Sequence, residues 1–294
     1  MTRPLATISV DVDPVDLHLV GYGFTGLPAD PLSHTRGLPR LLEAFARAEV
    51  PSTLFCVARD AAEHGALLRR AAEAGHEIAS HTWSHPIRFA GLPVADQRRE
   101  LVDSKRALEA ASGAKVVGFR APNFDMNDGV VPRLVEAGYR YDASAYPTPV
   151  LLPARLLLAL KSSDPLAVLR MSPLPFTWNR QPYRWRAGGA EIMQFPVSVL
   201  PGLRMPVYHT LAYYCDEKAF LERVASFARR GESLSYVLHA VDGMGLAEDA
   251  IDARLAKHPG MDRSLAEKTA KLDRVLACIA EHYEVRTYAQ RLDA

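Results

Sequence analysis

Thr7-Ile8-Ser9-Val10-Asp11-Val12-Asp13 is short and rich in β-branched residues. It predicts a strand, and alternation along a strand places Asp11 and Asp13 on the same face. Two carboxylates on the inside of a sheet are costly unless something compensates them. A metal ion bound to one would compensate and leave the other free as a base. An Asp-rich turn after a strand, helped by Pro14, is the plainer reading of the same residues.

Working outward, strand-like segments recur at residues 53–57, 77–80, 116–119, 141–143, 191–197, 236–239 and 285–287. Helical patterns alternate with them at 37–48, 60–74, 94–111, 130–137, 217–229 and 264–282. Leu38, Leu41, Leu42 and Phe45 share one face of the first of these helices. Gly75 closes one of the others as a left-handed cap, and Gly138 closes another. Repeated βα units imply a parallel sheet with helices outside. About seven or eight units predict an α/β fold, a distorted (β/α) barrel of about seven strands, with an open doubly wound sheet as the alternative. Residues 1–294 read as a single domain. Residues 147–190, dense in proline and aromatics, break the rhythm as an apolar, aromatic insertion.

The chain has 294 residues, 48% of them hydrophobic, with a net charge of +1 and three cysteines. That near-neutral balance argues against nucleic acid, which needs clustered positive charge. Cys56, Cys215 and Cys278 are far apart and read as reduced thiols. No basic start and apolar stretch precedes the first strand, and no run of about 20 apolar residues occurs. The expectation is a cytoplasmic protein without a signal peptide or membrane-spanning helix.

Chemistry-bearing residues gather at strand ends, where loops form the active site of a βα barrel. His81-Thr82-Trp83-Ser84-His85 follows the third strand. Histidines four apart on a helical turn lie on one face, within reach of one ion, although surface histidines at this spacing are common. Gly118-Phe119-Arg120-Ala121-Pro122-Asn123, Asp142-Ala143-Ser144 and Val237-Leu238-His239-Ala240 end later strands. Singly they read as a surface salt bridge, a turn aspartate and a core histidine. Together, in this order, they read as a site.

That order (Asp-x-Asp, His-x-x-x-His, Arg-x-Pro, Asp-x-Ser, Leu-His) resembles the motifs of the polysaccharide deacetylase family, also called NodB-homology or carbohydrate esterase 4, from about residue 8 to residue 239. The Asp11-Val12-Asp13 spacing is similar to the branch with cytoplasmic peptidoglycan-deacetylase-like, allantoinase-like and lipid-linked aminoarabinose deformylase-like members. Asn123 stands where many members have Tyr. The resemblance implies a hydrolase that removes an acetyl or formyl group from the nitrogen of an amino sugar. It implies Asp13, His81 and His85 as ligands of a divalent metal, Zn²⁺ foremost. Asp11 becomes the base and His239 the acid. Arg120 orients Asp11, and Asp142 orients Arg120 or His239. Asn123, through its backbone N–H, belongs to the substrate side with Leu238 and Trp83, and Leu238 lines the acyl pocket.

Residues 147–190 carry Tyr146 at their edge, then Leu151, Leu152, Leu156, Leu157, Leu158, Leu160, Leu166, Leu169, Met171, Leu174, Phe176, Trp178, Tyr183 and Trp185, interspersed with Arg155, Lys161, Arg170, Arg180, Arg184 and Arg186. The plain reading is an insertion packed on the barrel or in a homo-oligomer interface. The sharper one is an amphipathic patch for peripheral contact with the inner membrane or for a lipid-linked sugar. Hydrolysis of a non-sugar cyclic amide, and a non-catalytic carbohydrate-binding relative, stand as the other readings.

Overall fold

The computed structural model describes residues 2–161, 165–170 and 179–293. Among these, nine strands run in chain order: β1 (Leu5–Val12), β2 (Thr53–Cys56), β3 (Glu77–Ser80), β4 (Gly118–Phe119), β5 (Tyr141–Asp142), β6 (Tyr183–Ala187), β7 (Ala190–Gln194), β8 (Leu234–His239) and β9 (Glu284–Val285). The helices are α1 (Val15–Gly21), α2 (Leu38–Arg47), α3 (Gly65–Glu73), α4 (Val94–Ser112), α5 (Val131–Glu136), α6 (Leu151–Lys161), α7 (Pro165–Leu169), α8 (His209–Ala212), α9 (Glu217–Arg229), α10 (Leu265–His282) and α11 (Tyr288–Leu292).

The sheet order is β6-β7-β5-β4-β3-β2-β1-β8, with β9 also paired to β1. Every pairing is parallel except the β6–β7 hairpin. The hydrogen-bonded sheet is not a continuous ring. The chain after β7 crosses the gap: Val197 N–H donates to Ala145 O (2.8 Å), Ser198 N–H to Ser235 O (3.2 Å), and Ser235 N–H to Ser198 Oγ (2.8 Å). The result is the distorted α/β barrel that the alternation implied, bridged rather than closed.

Register sorts the faces. Asp11 pairs with Phe55 and Phe55 with Ala79, so all three point inward. Phe55, Tyr141, Phe195 and Tyr288 fill the inside of the sheet. Val10, Leu54 and Ile78, one residue away, face the helices with Leu41, Phe45 and Leu101 in the main core. The helix ends follow ordinary chemistry. Ser264 and Glu267 form a capping box on α10, and Gly113 ends α4 at φ 72°.

The segment at 147–190 forms α6, α7 and the hairpin strand β6. Tyr183-Arg184-Trp185-Arg186-Ala187 alternates with period two: Trp185 is buried, while Arg184 and Arg186 reach Glu191 on β7. Met171, Leu174, Phe176 and Trp178 lie outside the described residues. None of the described helices is long and apolar enough to cross a membrane.

Candidate metal centre and active site

Asp13 lies one residue past β1, and His81 one residue past β3. Their approach to His85 does not use the expected helical turn. Thr82 and His85 have φ of 67° and 57°, so two left-handed residues fold the loop back. Such conformations persist only where surroundings over-determine them. Here Ala58 and Arg59 N–H donate to Thr82 and Trp83 O, at 3.1 and 3.0 Å. The Glu100 carboxylate, on α4, accepts from Trp83 N–H (2.8 Å), Ser84 N–H (2.9 Å) and Ser84 Oγ–H (2.6 Å). His85 N–H donates to Thr82 Oγ1 at 3.1 Å.

Asp13 Oδ1 stands 3.4 Å from His81 Nε2 and 3.6 Å from His85 Nε2. It is buried and has no hydrogen-bond partner among the described residues. His81 Nδ1 lies 2.7 Å from Arg120 O, an acceptor, so Nδ1 carries the proton of the neutral ring. Nε2 then presents a lone pair to a carboxylate oxygen, which is unfavourable until a cation sits among them. Burial holds the pKa of His81 and of His85 below normal, His85 at about 4, so both rings are uncharged ligands at neutral pH. Burial and the neighbouring Asp11 charge push Asp13 up. The three side chains fit a metal: one carboxylate and two neutral imidazoles, their ligand atoms within 4.8 Å of one another.

Asp11 is also buried. Burial pushes its carboxyl up, but the Arg120 guanidinium and the neighbouring His81 and His239 together outweigh it and hold the pKa below normal. Arg120 pairs with Asp11 Oδ1, donates to Ser9 Oγ (3.0 Å) and Ala143 O (3.1 Å), and lies 4.0 Å from the Phe55 ring centre. That fixes one carboxylate oxygen; the other, Oδ2, faces His239 Nε2 at 4.0 Å. His239 pairs with Asp11 in the β1–β8 register, and its N–H donates to Asp242 at 2.8 Å.

Three expected assignments change. Leu238 pairs with Val10 and is wholly buried in the outer core, so alternation turns it away from the site. Trp83 is 37% exposed and does not line the cavity; its backbone, held by Glu100, is what serves the loop. Asp142 hydrogen-bonds neither Arg120 nor His239. It accepts from Ser144 Oγ and Gln194 Nε2, and burial raises its pKa to about 6. Arg120 meets that strand through the Ala143 carbonyl instead.

A cavity of about 440 Å³ opens over Asp11, Asp13, His81, His85 and His239. Asn123, at φ 54°, lines it, with its Nδ2 donating to Ile87 O at 3.2 Å. Phe124, Tyr146 and Tyr208 form an aromatic wall, and Leu151, Leu157 and Val168 bring in α6 and α7. His18, Tyr22 and His258 line the far side. Sequence reasoning missed these three and Glu100, because each stands alone without a motif.

Residues 27–141 match the family profile described as polysaccharide deacetylase. A peptidoglycan deacetylase of Helicobacter pylori is 26% identical over 144 residues, 48% of this chain and 49% of that protein. A chitooligosaccharide deacetylase of Sinorhizobium fredii is 32% identical over 120 residues, 39% of this chain and 55% of that protein. The chain thus spans about half the length of the curated relatives it matches. In fold it is similar to a Mycobacterium smegmatis protein described as a polysaccharide deacetylase, with TM-score 0.63 and 21% identity over 100% of this chain and 90% of that one. The Puue allantoinase gives TM-score 0.57 and 18% identity over 96% and 85%. Residues 27–141 thus resemble the polysaccharide deacetylase family in sequence, and the whole chain is similar in fold to solved proteins so described.

Proposed function

We propose that residues 1–294 form one catalytic domain that removes an acetyl or formyl group from the nitrogen of an amino sugar, with Asp13, His81 and His85 holding a divalent ion, Zn²⁺ foremost. The observation that carries this reading is the buried, unpartnered Asp13 Oδ1 facing two imidazole nitrogens, beside a second carboxylate that an arginine keeps ionised. When bound, the ion acts as a Lewis acid and lowers the pKa of water from 15.7 towards about 7. Asp11, ionised and anchored through Oδ1, accepts the proton of the attacking water on Oδ2. His239 Nε2 delivers a proton to the nitrogen as the C–N bond breaks, so that a neutral amine leaves and the acyl group departs as the carboxylic acid, which then ionises to solvent, while the proton on Asp11 returns to His239. The aromatic wall of Phe124, Tyr146 and Tyr208 offers faces for a sugar ring.

A lipid-linked form of that sugar is the finer reading. Leu157 is half-exposed and also lines the cavity, while Leu152, Leu156, Leu160, Leu166 and Leu169 are exposed on α6 and α7. An apolar face that meets the cavity at Leu157 suits an acyl or polyprenyl chain, or a lipid surface. Release of acetate and formate from N-acyl amino sugars, free and lipid-linked, tests both levels. Release from neither form contradicts the function. Release from soluble sugars alone, without liposome binding, contradicts only the lipid reading.

A further inference from the structure

His18 and His258 come from opposite ends of the sequence and meet beside His239. Ring centroids lie 4.9 Å apart for His18–His258 and 5.9 Å for His18–His239. All three line the cavity of the metal centre, yet the chemistry above uses only His239. Each added ring is anchored. His18 sits on α1, whose first-turn Asp16 pairs with Arg59 at 2.6 Å. His258 Nδ1 lies 3.2 Å from the Tyr22 hydroxyl.

His18 Nε2 is buried without a hydrogen-bond partner among the described residues. Leaving such an atom unpaired costs stability, which a ligand atom that pairs with it restores. Burial, then the neighbouring imidazoles, keeps the pKa of His18 far below normal and that of His258 at about 3. Both rings are therefore neutral at physiological pH, each with one donor and one acceptor nitrogen. Uncharged edges have no bias towards an anion. They match a hydroxyl, which both donates and accepts.

We propose that His18 and His258 form a hydroxyl-binding subsite that holds one ring hydroxyl of the acylated sugar while His239 faces its nitrogen. This rests on the amino-sugar reading above and adds a determinant of which sugar is accepted. A site built to hydrogen-bond a hydroxyl rejects the analogue that lacks it, because its own polar groups are left unpaired.

The test compares kcat and KM for acyl release from methyl N-acetyl- or N-formyl-glucosaminide, whichever is turned over, and from its 3-, 4- and 6-deoxy analogues. Metal-loaded wild type, His18→Phe and His18→Asn are used, with thermal melting alongside. Wild type should lose about tenfold in kcat/KM on at least one deoxy analogue. In His18→Phe that one penalty should vanish while the others persist, and the Tm should not fall, because an unpaired nitrogen has been replaced by apolar surface. His18→Asn should keep part of the penalty. Wild type indifferent to all three deoxygenations, His18→Phe retaining every penalty, or an equal loss on all four sugars would overturn the subsite alone. No release from any of these sugars by wild type would overturn the amino-sugar reading and the subsite with it.

Discussion

His81 Nε2 faces Asp13 Oδ1 at 3.4 Å, a lone pair against a buried carboxylate oxygen. Folding sets this opposition up from both sides. The Arg120 carbonyl fixes the His81 tautomer at 2.7 Å, and β1 delivers Asp13 into the barrel mouth. A divalent ion turns the opposition into attraction, so metal binding is also folding free energy. Stripping the ion with a chelator should lower the Tm, and adding it back at about a hundred times its Kd should restore about 2.7 kcal/mol. A melting curve indifferent to metal would count against the site.

The Arg120–Asp11 pair is wholly buried. Removing one partner of such a pair leaves an uncompensated charge and costs about 3–5 kcal/mol. Arg120→Met should therefore destabilise strongly in chemical denaturation and raise the pKa of Asp11. A loss under about 1 kcal/mol would mean that the pair is not formed in solution.

His239→Gln leaves Asp13, His81 and His85 in place. It should keep metal stoichiometry and lower kcat by about 10²–10⁴, the usual worth of a positioned acid. Unchanged kcat would remove His239 from the proton path.

Glu100 has no contact with the metal ligands but accepts three hydrogen bonds from the loop between them. Glu100→Ala should release the strained backbone at Thr82 and His85 and weaken metal affinity by about 10–100-fold, as loss of a supporting contact typically does. Competition with a chromogenic chelator measures this, and Glu100→Gln should recover part of the affinity. Equal affinity in all three proteins would show that the loop needs no such anchor.

Asp142 gives a pH signature. Burial raises its folded-state pKa to about 6, from 3.8 in the absence of the fold. The folded chain thus holds a proton that the unfolded chain has released, so stability falls as pH rises from about 4 to about 6. The two-unit difference corresponds to about 3 kcal/mol. Asp142→Asn should lack this downward limb, read as unfolding free energy against pH. Asp11, whose pKa is lowered, works in the opposite sense in both proteins, which leaves the difference between them as the measure. Parallel pH curves would contradict the assignment.

Much of the barrel was legible because its strands and helices carry strong periodicity and chemical stops. The shared face of Asp11 and Asp13 followed from alternation alone. Leu238 was misread because facing is set by register: only the pairing of β8 with β1, more than two hundred residues away in sequence, shows that His239 sides with Asp11 and Leu238 with Val10. The His81–His85 spacing gave the right neighbours through the wrong geometry, since two left-handed residues do the work of a helical turn. β6 did carry a period-two signal in Tyr183, Trp185 and Ala187, hidden by the arginines between them. His18, His258 and Glu100 had no local signal, because tertiary packing alone brings them to the site.

The most direct measurement is bound metal per chain together with acyl release from N-acyl amino sugars, in wild type and Asp13→Ala. The expected result is about one divalent ion per wild-type chain and release that vanishes with the ion in the variant. Wild type without stoichiometric metal after reconstitution, or Asp13→Ala with undiminished release, would contradict the metal-dependent chemistry proposed for this fold.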